Sequence, residues 1–182
     1  MELRKEKYYT EQEYEKIDSN GLVEYDNGRI IMMAPPLRIH QTLITTLSYL
    51  IHGYLIGKHC KVYVSPFNVR LVFEKGDIKR VEPDISVVCD ENKLTDKGCE
   101  GAPDFIIEVV SPNNKMHDYV TKVQWYQQAG VKEYWIVDPH IKAVLVYRFD
   151  TDEVFQYTFN DIVSVGIWNG NFSVDLSQIN LA

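Results

Sequence analysis

Runs of apolar residues predict a long helix and a hairpin in the first third of the chain. Leucines and isoleucines recur at helical spacing over about residues 40–56, and Gly57 follows where a helix C′ residue belongs. Before this helix, the runs 22–25 and 29–33 flank an Asn-Gly pair, which favours a hairpin because both central residues of a type I′ turn take a positive φ. A capping-box pattern, threonine followed three residues later by glutamate, predicts a short helix over about 10–17.

Downstream of this helix the pattern becomes that of strands. The predicted strands cover residues 61–64, 68–73, 84–89, 104–110, 133–137, 143–149 and 153–159. We expect the first two to pair with each other, the last two to form a second hairpin, and the charged stretch 74–80 to be a turn. A helix is predicted over 118–129, where Gly130 ends it. These elements predict a single α/β (α+β) domain over 1–182, with one mixed β-sheet flanked by helices.

Composition and charge limit the classes of function. With 45% apolar and 25% charged residues the chain is near the globular average, which excludes wholesale disorder. The formal net charge of −7 means that a nucleic-acid role would depend on a local basic surface or on bound cations. Three cysteines without a C-x-x-C motif argue against a secreted disulfide scaffold and a zinc ribbon. The charged N-terminus lacks a signal-peptide core, and no apolar run approaches the ~20 residues of a membrane helix. We therefore expect a cytoplasmic protein with no membrane contact.

One acid stands inside the most apolar predicted strand. Because strand side chains alternate between faces, Glu108 shares its face with Ile106 and Val110, while the opposite face is also apolar. An ionised carboxylate left unpaired in such a strand costs several kcal/mol. Glu108 therefore needs a cation, hydrogen-bond donors or a raised pKa. The alternative is an ordinary structural pair with a lysine or an arginine.

A second acid stands at the mouth of another predicted strand. Asp84 follows Pro83, which can only begin a strand because it cannot donate to the ladder. If the strands 84–89 and 104–110 are neighbours, Asp84 and Glu108 converge at one sheet edge. Converging carboxylates are typical of a Mg²⁺ or Mn²⁺ site, because these ions prefer oxygen ligands and often take only one or two from the protein. Alone, Asp84 would be interpreted as a turn or capping acid.

A lysine on the predicted helix 118–129 is the third candidate. Lys122 lies four residues after Asp118 and four before Tyr126, so the three share one helix face, with Trp125 on its edge. If this face packs on the sheet, the ammonium can orient an attacking water and offset charge on a phosphate. The alternative is a surface pair with Asp118, its stem lying over Trp125.

Several segments together resemble the bacterial Uma2 family of restriction endonuclease-like proteins. They are Pro83-Asp84, GAPDFIIEVVSP over 101–112, D-x-x-x-K-x-x-x-Y over 118–126 and GVKEYWIVDP over 130–139. EYDNG over 24–28, Met33-Ala34-Pro35 and His40 resemble the start of the same family. The resemblance extends from about Glu24 to Pro139, and it is the combination of segments that is specific.

The resemblance extends to the PD-(D/E)XK nuclease superfamily, which implies a mixed sheet with flanking helices and Mg²⁺-dependent phosphodiester hydrolysis. By motif, Asp84 matches the aspartate of Pro-Asp and Glu108 matches the acid of (D/E)XK. The sequence departs from the general pattern at Val110, which occupies the lysine position. The resemblance implies that the following helix supplies the lysine instead, which here is Lys122.

Four further residues are weaker candidates. Glu24 matches a family acid and is a possible additional metal ligand, although a solvent-side strand residue would look the same. His40 opens the long helix and is a candidate phosphate contact, against a helix-start histidine in water. His52 and His59 are seven residues apart without an evident third ligand, so solvated side chains are favoured.

Five basic residues are candidates for a positively charged rim that contacts DNA, and the alternative is that they are ordinary solvated charges. Its residues would be Arg38, Lys75, Lys79, Arg80 and Lys115.

The sequence thus predicts a metal-dependent endodeoxyribonuclease. Asp84, Glu108 and the carbonyl of Val109 would hold Mg²⁺ or Mn²⁺, and Lys122 would position the water. DNA is the expected partner, and a homodimer is expected because two active sites would serve two strands. The main alternative is a catalytically inactive nuclease-fold domain that binds nucleic acid or a protein partner, favoured by Val110 and the net charge of −7. A glycosidase that uses the two carboxylates as acid and base ranks lower.

Overall fold

The structure of the protein, a computed structural model, describes residues 7–17, 23–33, 35–74, 76–112, 117–179 and 181. The helices are α1 (Glu11–Tyr14), α2 (Arg38–Leu55) and α3 (Lys122–Ala129), with a π-helical turn over His117–Thr121 directly before α3. The strands are β1 (Val23–Asp26), β2 (Arg29–Met32), β3 (Lys61–Val64), β4 (Val69–Val72), β5 (Ile78–Val81), β6 (Ile85–Val88), β7 (Leu94–Thr95), β8 (Gly98–Glu100), β9 (Phe105–Val109), β10 (Glu133–Asp138), β11 (Ala143–Arg148), β12 (Glu153–Thr158), β13 (Ile162–Ser164) and β14 (Ser173–Asp175). Within these ranges, no helix combines the length and the apolar character needed to cross a membrane.

The strands form two large sheets, where the sequence predicted one. The central sheet has the order β12-β11-β10-β9-β6-β3, and the side sheet has the order β2-β1-β5-β4-β8-β7. In the central sheet β9 runs parallel to β10 and antiparallel to β6, so this sheet is mixed, as predicted. The fold class is therefore confirmed as α+β, and the number of sheets is corrected.

Two local predictions in the middle of the chain are wrong. The runs 61–64 and 68–73 do not pair, because β3 pairs with β6 in the central sheet and β4 pairs with β5 in the side sheet. The predicted charged turn 74–80 contains most of β5, whose cations are neutralised by acids from other elements. Lys79 pairs with Asp26, for example. Alternation along a chain indicates a strand, but it does not indicate the partner of that strand.

The turn and cap signals are confirmed. Asn27 and Gly28 connect β1 and β2 with φ of 44° and 100°, as the type I′ turn requires. Thr10 caps α1 in a complete capping box with Glu13. Gly130 ends α3 with a φ of 91°.

Strand β9 lies at the centre of the molecule and is covered on both faces. Phe105, Ile107 and Val109 pack in the core beneath α2, whereas Ile106 and Val110 pack in the core beneath α3. Helix α2 contributes its periodic apolar face to the first core. The predicted two-sided burial of this strand is therefore confirmed, and it places Glu108 among apolar side chains.

A disulfide lies at one end of the pair formed by β3 and β6. Cys60 directly precedes β3, Cys89 directly follows β6, and their sulfurs are bonded although 29 residues separate them. Cys99 is buried with a free thiol. The odd number of cysteines argued against a disulfide scaffold, and the sequence did not predict this bridge. A count of cysteines does not reveal which two lie opposite each other in a sheet.

Candidate active site

A cavity of about 320 Å³ opens beside the central sheet, where β6 begins and β9 ends. Its walls come from the start of α2, the loop after β3, the sheet edge and the π-helical turn with the first residue of α3. The cavity is lined by all the main candidate residues from the sequence: His40, Asp84, Glu108, Val109 and Lys122.

The strand that follows Asp84 and the strand that holds Glu108 are neighbours, which is the condition on which the sequence made the two acids converge. Strands β6 and β9 are antiparallel with Ile85 opposite Ile107, which brings Asp84 beside Glu108. The amide of Val109 donates to Oδ2 of Asp84 over 2.7 Å. Asp84 is 7% exposed and Glu108 is 3% exposed, so both carboxylates have lost nearly all contact with bulk water.

Lys122 is the centre of a buried ionic cluster. Its Nζ lies 2.8 Å from Oε1 of Glu108, 3.0 Å from Oε1 of Glu24 and 3.7 Å from Oδ1 of Asp118. The hydroxyl of Tyr126 donates to the same Oε1 of Glu108 over 2.7 Å. Lys122 is 2% exposed, so the alternative of a surface pair is wrong. We call Asp84, Glu108, Glu24 and Asp118, together with Lys122, the carboxylate cluster.

The electrostatics of this cluster favour a bound cation. Burial raises the pKa of Glu108, the ammonium of Lys122 opposes that shift, and the negative charge of Asp84 adds to it. Burial would lower the pKa of Lys122, but the carboxylates of Glu108, Glu24 and Asp118 outweigh it and hold that pKa well above its ordinary value. Three carboxylates contact the one ammonium and Asp84 lies beside Glu108, so acidic side chains outnumber basic ones in the cluster.

Glu24 reaches the cluster from a different sheet. It lies on β1 in the side sheet and is 1% exposed, so the alternative of a solvent-side strand residue is wrong. Pairing of β1 with β5 places this strand beside the segment that leads into Asp84. The resemblance alone pointed to Glu24, because a short strand next to a hairpin turn does not indicate which face will be covered.

His40 lies in the first turn of α2 and contacts the carboxylate of Asp84. Its Nε2 lies 3.1 Å from Oδ2 of Asp84, and its side chain is 12% exposed, so a histidine in water is the wrong interpretation. Its Nδ1 is buried and has no hydrogen-bond partner among the described residues. The side chain of His40 lines the cavity.

Two members of the site were missed as functional residues. The sequence pattern places Tyr126 on the same helix face as Lys122 but does not indicate that its hydroxyl donates to Glu108. The same pattern gives Asp118 only as a surface partner of Lys122. Their four-residue spacing from Lys122 was the available signal, because helical residues at that spacing lie on one face. A buried lysine on that face would have implied buried partners beside it.

The predicted basic rim is not assembled as expected. Arg80 is buried and pairs with Glu11 and Glu15. Lys79 lies close to Asp26 and over the ring of Trp125. Arg38 is exposed. Lys75 and Lys115 lie outside the described residues.

Comparison with known proteins assigns the family. The sequence model of the Uma2 family, described as "Putative restriction endonuclease", matches residues 11–168. An uncharacterized protein of Synechocystis sp. (strain PCC 6803) is 24% identical over 163 residues, which cover 87% of this chain and 84% of that protein. A crystal structure described as a "putative nuclease belonging to DUF820", from Anabaena variabilis, superimposes with a TM-score of 0.77 at 20% identity, covering 94% of this chain and 97% of that one. This chain belongs to the Uma2 family of restriction endonuclease-like proteins and shares its fold with the Anabaena structure.

Proposed function

We propose that this protein is an endodeoxyribonuclease that uses Mg²⁺ or Mn²⁺ to hydrolyse DNA phosphodiester bonds. The observation that carries the proposal is the meeting of Asp84 and Glu108 at one cavity, with the buried ammonium of Lys122 beside them. The membership of a restriction endonuclease-like family supports the same reaction class.

The residues present fit a hard divalent cation. Asp84, Glu108 and the carbonyl of Val109 supply only oxygen ligands, which Mg²⁺ and Mn²⁺ prefer. Burial raises the pKa of Glu108 and the negative charge of Asp84 adds to that shift, so a divalent cation bound between the two acids would offset both effects. When bound, the ion would lower the pKa of a coordinated water and neutralise charge on the phosphoryl group.

The other side chains have distinct roles in this proposal. Lys122 orients the attacking water and offsets negative charge on the phosphate. Glu24 also pairs with the Lys122 ammonium, and Tyr126 holds the carboxylate of Glu108 in place through the hydrogen bond from its hydroxyl. His40 lines the cavity, where its ring can contact a phosphate oxygen.

The decisive experiment is cleavage of supercoiled plasmid with Mg²⁺, with Mn²⁺ and with EDTA. Asp84→Asn and Glu108→Gln keep the shape of each side chain and remove its charge, so each is expected to lower the cleavage rate by at least about 100-fold, corresponding to about 2.7 kcal/mol of activation free energy. Asp96→Asn and Glu91→Gln are matched controls, since both acids are exposed and neither lines the cavity. Cleavage that survives both active-site changes refutes the assignment.

A non-catalytic nuclease fold is the second candidate. It is favoured by Val110, an apolar and buried residue at the position where the superfamily pattern has lysine. Titration calorimetry separates the two candidates. DNA binding without Mg²⁺ or Mn²⁺ binding at millimolar concentration favours the non-catalytic function, whereas metal binding that Asp84→Asn abolishes favours the enzyme. The homodimer remains a prediction, which sedimentation equilibrium would test.

A further inference from the structure

A second group of metal-binding side chains lies at the opposite end of β6 from Asp84. His59, Cys60 and Cys89 each offer one ligand atom, and these atoms lie within 4.8 Å of one another. Nε2 of His59 is 3.4 Å from Sγ of Cys60. None of the three lines the cavity of the carboxylate cluster. The group is therefore separate from the proposed nuclease site.

The backbone holds the two cysteines in place. Strands β3 and β6 are antiparallel with Lys61 opposite Val88, so the next residue outward on each strand is a cysteine. Because sheet hydrogen bonds define this register, the two Cβ atoms stay close together whether or not the sulfurs are bonded. Cys60 is buried, but a cavity of about 230 Å³ beside it reaches the surface near His52. His59 is exposed and next to Cys60, so its ring can move to complete a site.

The disulfide and a metal site exclude each other. Bonded sulfurs are poor ligands, since the thiolate is the form that binds metal. Reduction by a thiol breaks the Sγ–Sγ bond; two electrons and two protons pass to Cys60 and Cys89, and two molecules of the reductant join as their own disulfide. Metal binding then displaces the two thiol protons, which leaves two thiolates beside an imidazole.

We propose that the reduced protein binds one Zn²⁺ ion through Sγ of Cys60, Sγ of Cys89 and Nε2 of His59, with water as the fourth ligand. Two thiolates and an imidazole are soft and borderline ligands that select zinc over magnesium. Ligand atoms about 2.0–2.3 Å from a shared tetrahedral zinc lie about 3.5 Å from each other, close to the present separation of Cys60 and His59. A small-molecule disulfide can re-form the Cys60–Cys89 bond: it takes up two electrons and two protons, becomes two thiols and leaves the zinc ion without its sulfur ligands. The site therefore holds zinc only under reducing conditions.

The test uses the full-length protein reduced with a water-soluble phosphine, which becomes its oxide as water supplies the oxygen. Zinc binding is measured by competition with a chromophoric chelator. Cobalt(II) substitution gives a second readout, because sulfur-to-cobalt charge-transfer absorption arises only where thiolates bind the ion, and the carboxylate cluster has none. The expected result is one equivalent of Zn²⁺ in the reduced protein beyond any that the oxidised protein binds, and no thiolate–cobalt absorption in the oxidised protein.

Variants assign the ligands. Cys60→Ser, Cys89→Ser and His59→Ala are each expected to weaken zinc binding at least 100-fold. Cys99→Ser and His52→Ala are the matched controls and are expected to bind as the unaltered chain does. His59 is exposed, so His59→Ala keeps the test valid even if a cysteine variant fails to fold. Three outcomes would overturn the proposal. The reduced protein binds no zinc, the oxidised and reduced proteins bind zinc equally, or a control variant loses binding while His59→Ala keeps it.

Discussion

The ammonium of Lys122 lies 2.8 Å from Oε1 of Glu108, and only 2% and 3% of the surfaces of these two residues are exposed. Lys122 is the first residue of α3, and Glu108 lies in the central strand β9. Taking two charges out of water costs several kcal/mol for each ion, which their mutual attraction scarcely repays. A pair of this kind is therefore better explained by chemistry at the cavity than by stability.

Removal of the Lys122 ammonium is expected to destabilise the protein, because it leaves buried carboxylates without their cation. In Lys122→Met the carboxylates of Glu108, Glu24 and Asp118 lose their shared cation, so the free energy of unfolding should fall by about 3–5 kcal/mol. Added Mg²⁺ should restore part of it, since a divalent ion can replace the missing positive charge. Urea unfolding with and without Mg²⁺ measures both effects.

Lys132→Met is the control for this change. Lys132 pairs with Asp104 over 2.7 Å, but the lysine side chain is 50% exposed. An exposed pair contributes up to about 1 kcal/mol, so this variant should lose little stability. Equal losses in the two lysine variants would contradict the account of Lys122.

Removal of the tyrosine hydroxyl should affect catalysis more than stability. Tyr126→Phe deletes the donor 2.7 Å from Oε1 of Glu108 and keeps the ring, which packs edge-on against Tyr134. One buried hydrogen bond contributes about 1 kcal/mol, so unfolding should change by about that amount. Cleavage should fall about 10-fold through kcat, because Glu108 loses one of the bonds that orient it. Tyr147→Phe is the control, because Tyr147 lies on the same face of the central sheet but outside the cavity, and this variant should cleave normally. An unchanged kcat in Tyr126→Phe would show that Tyr126 has no role in the site.

A pH-dependent contribution to stability is expected from Glu11. The bond from Arg70, with a second from Arg80, holds the pKa of Glu11 below its ordinary value of 4.5. A carboxylate whose pKa is lowered by folding stabilises the native state above its unfolded pKa, and this contribution is lost as the pH falls through the folded pKa. Glu11→Gln should therefore destabilise the protein by up to about 1 kcal/mol at pH 7, with the difference shrinking below pH 4.5.

Thermal unfolding of Glu11→Gln and of the unaltered chain between about pH 3 and pH 8 measures this difference. Glu91→Gln, at an exposed acid, should follow the unaltered curve throughout. A difference for Glu11→Gln that stays constant, or grows, as the pH falls would show that the ion pairs are not its source.

Replacing glycine by alanine is expected to change the free energy of unfolding in opposite directions at two positions. Gly98 has a φ of 136°, and a Cβ there would lie 2.1 Å from the carbonyl oxygen of Asn68, so Gly98→Ala should cost at least about 2 kcal/mol. Gly53 lies inside α2, where an added Cβ would have no neighbouring atom within 4 Å, so Gly53→Ala should stabilise the protein by about 0.8–1 kcal/mol. Thermal unfolding of both variants measures the two effects. A Gly98→Ala protein as stable as the unaltered chain would contradict the side-sheet geometry, and a destabilised Gly53→Ala protein would contradict the open environment of Gly53.

Local signals in the sequence were sufficient for much of the fold. The Asn27-Gly28 turn, the capping box at Thr10 and the glycine that ends α3 each act within a few residues, so the chain specifies them before any distant contact forms. The acid in the apolar strand indicated a special site for the same reason. A buried carboxylate is costly wherever the strand is placed, and so Glu108 could be selected from its immediate neighbours, whereas Asp84 became a candidate only in combination with Glu108.

The partners of those acids depended on tertiary structure. Glu24 comes from the side sheet, His40 from α2 and Tyr126 from α3, and the pattern of a strand or a helix does not indicate which other element will cover it. The division into two sheets and the Cys60–Cys89 bridge were likewise decided by strand pairing across long separations. The sequence alone determined where charge had to be buried. Which side chains compensate that charge was decided only when long-range packing brought distant segments together, because side-chain electrostatic contacts act over a few ångströms in space whatever their separation along the chain.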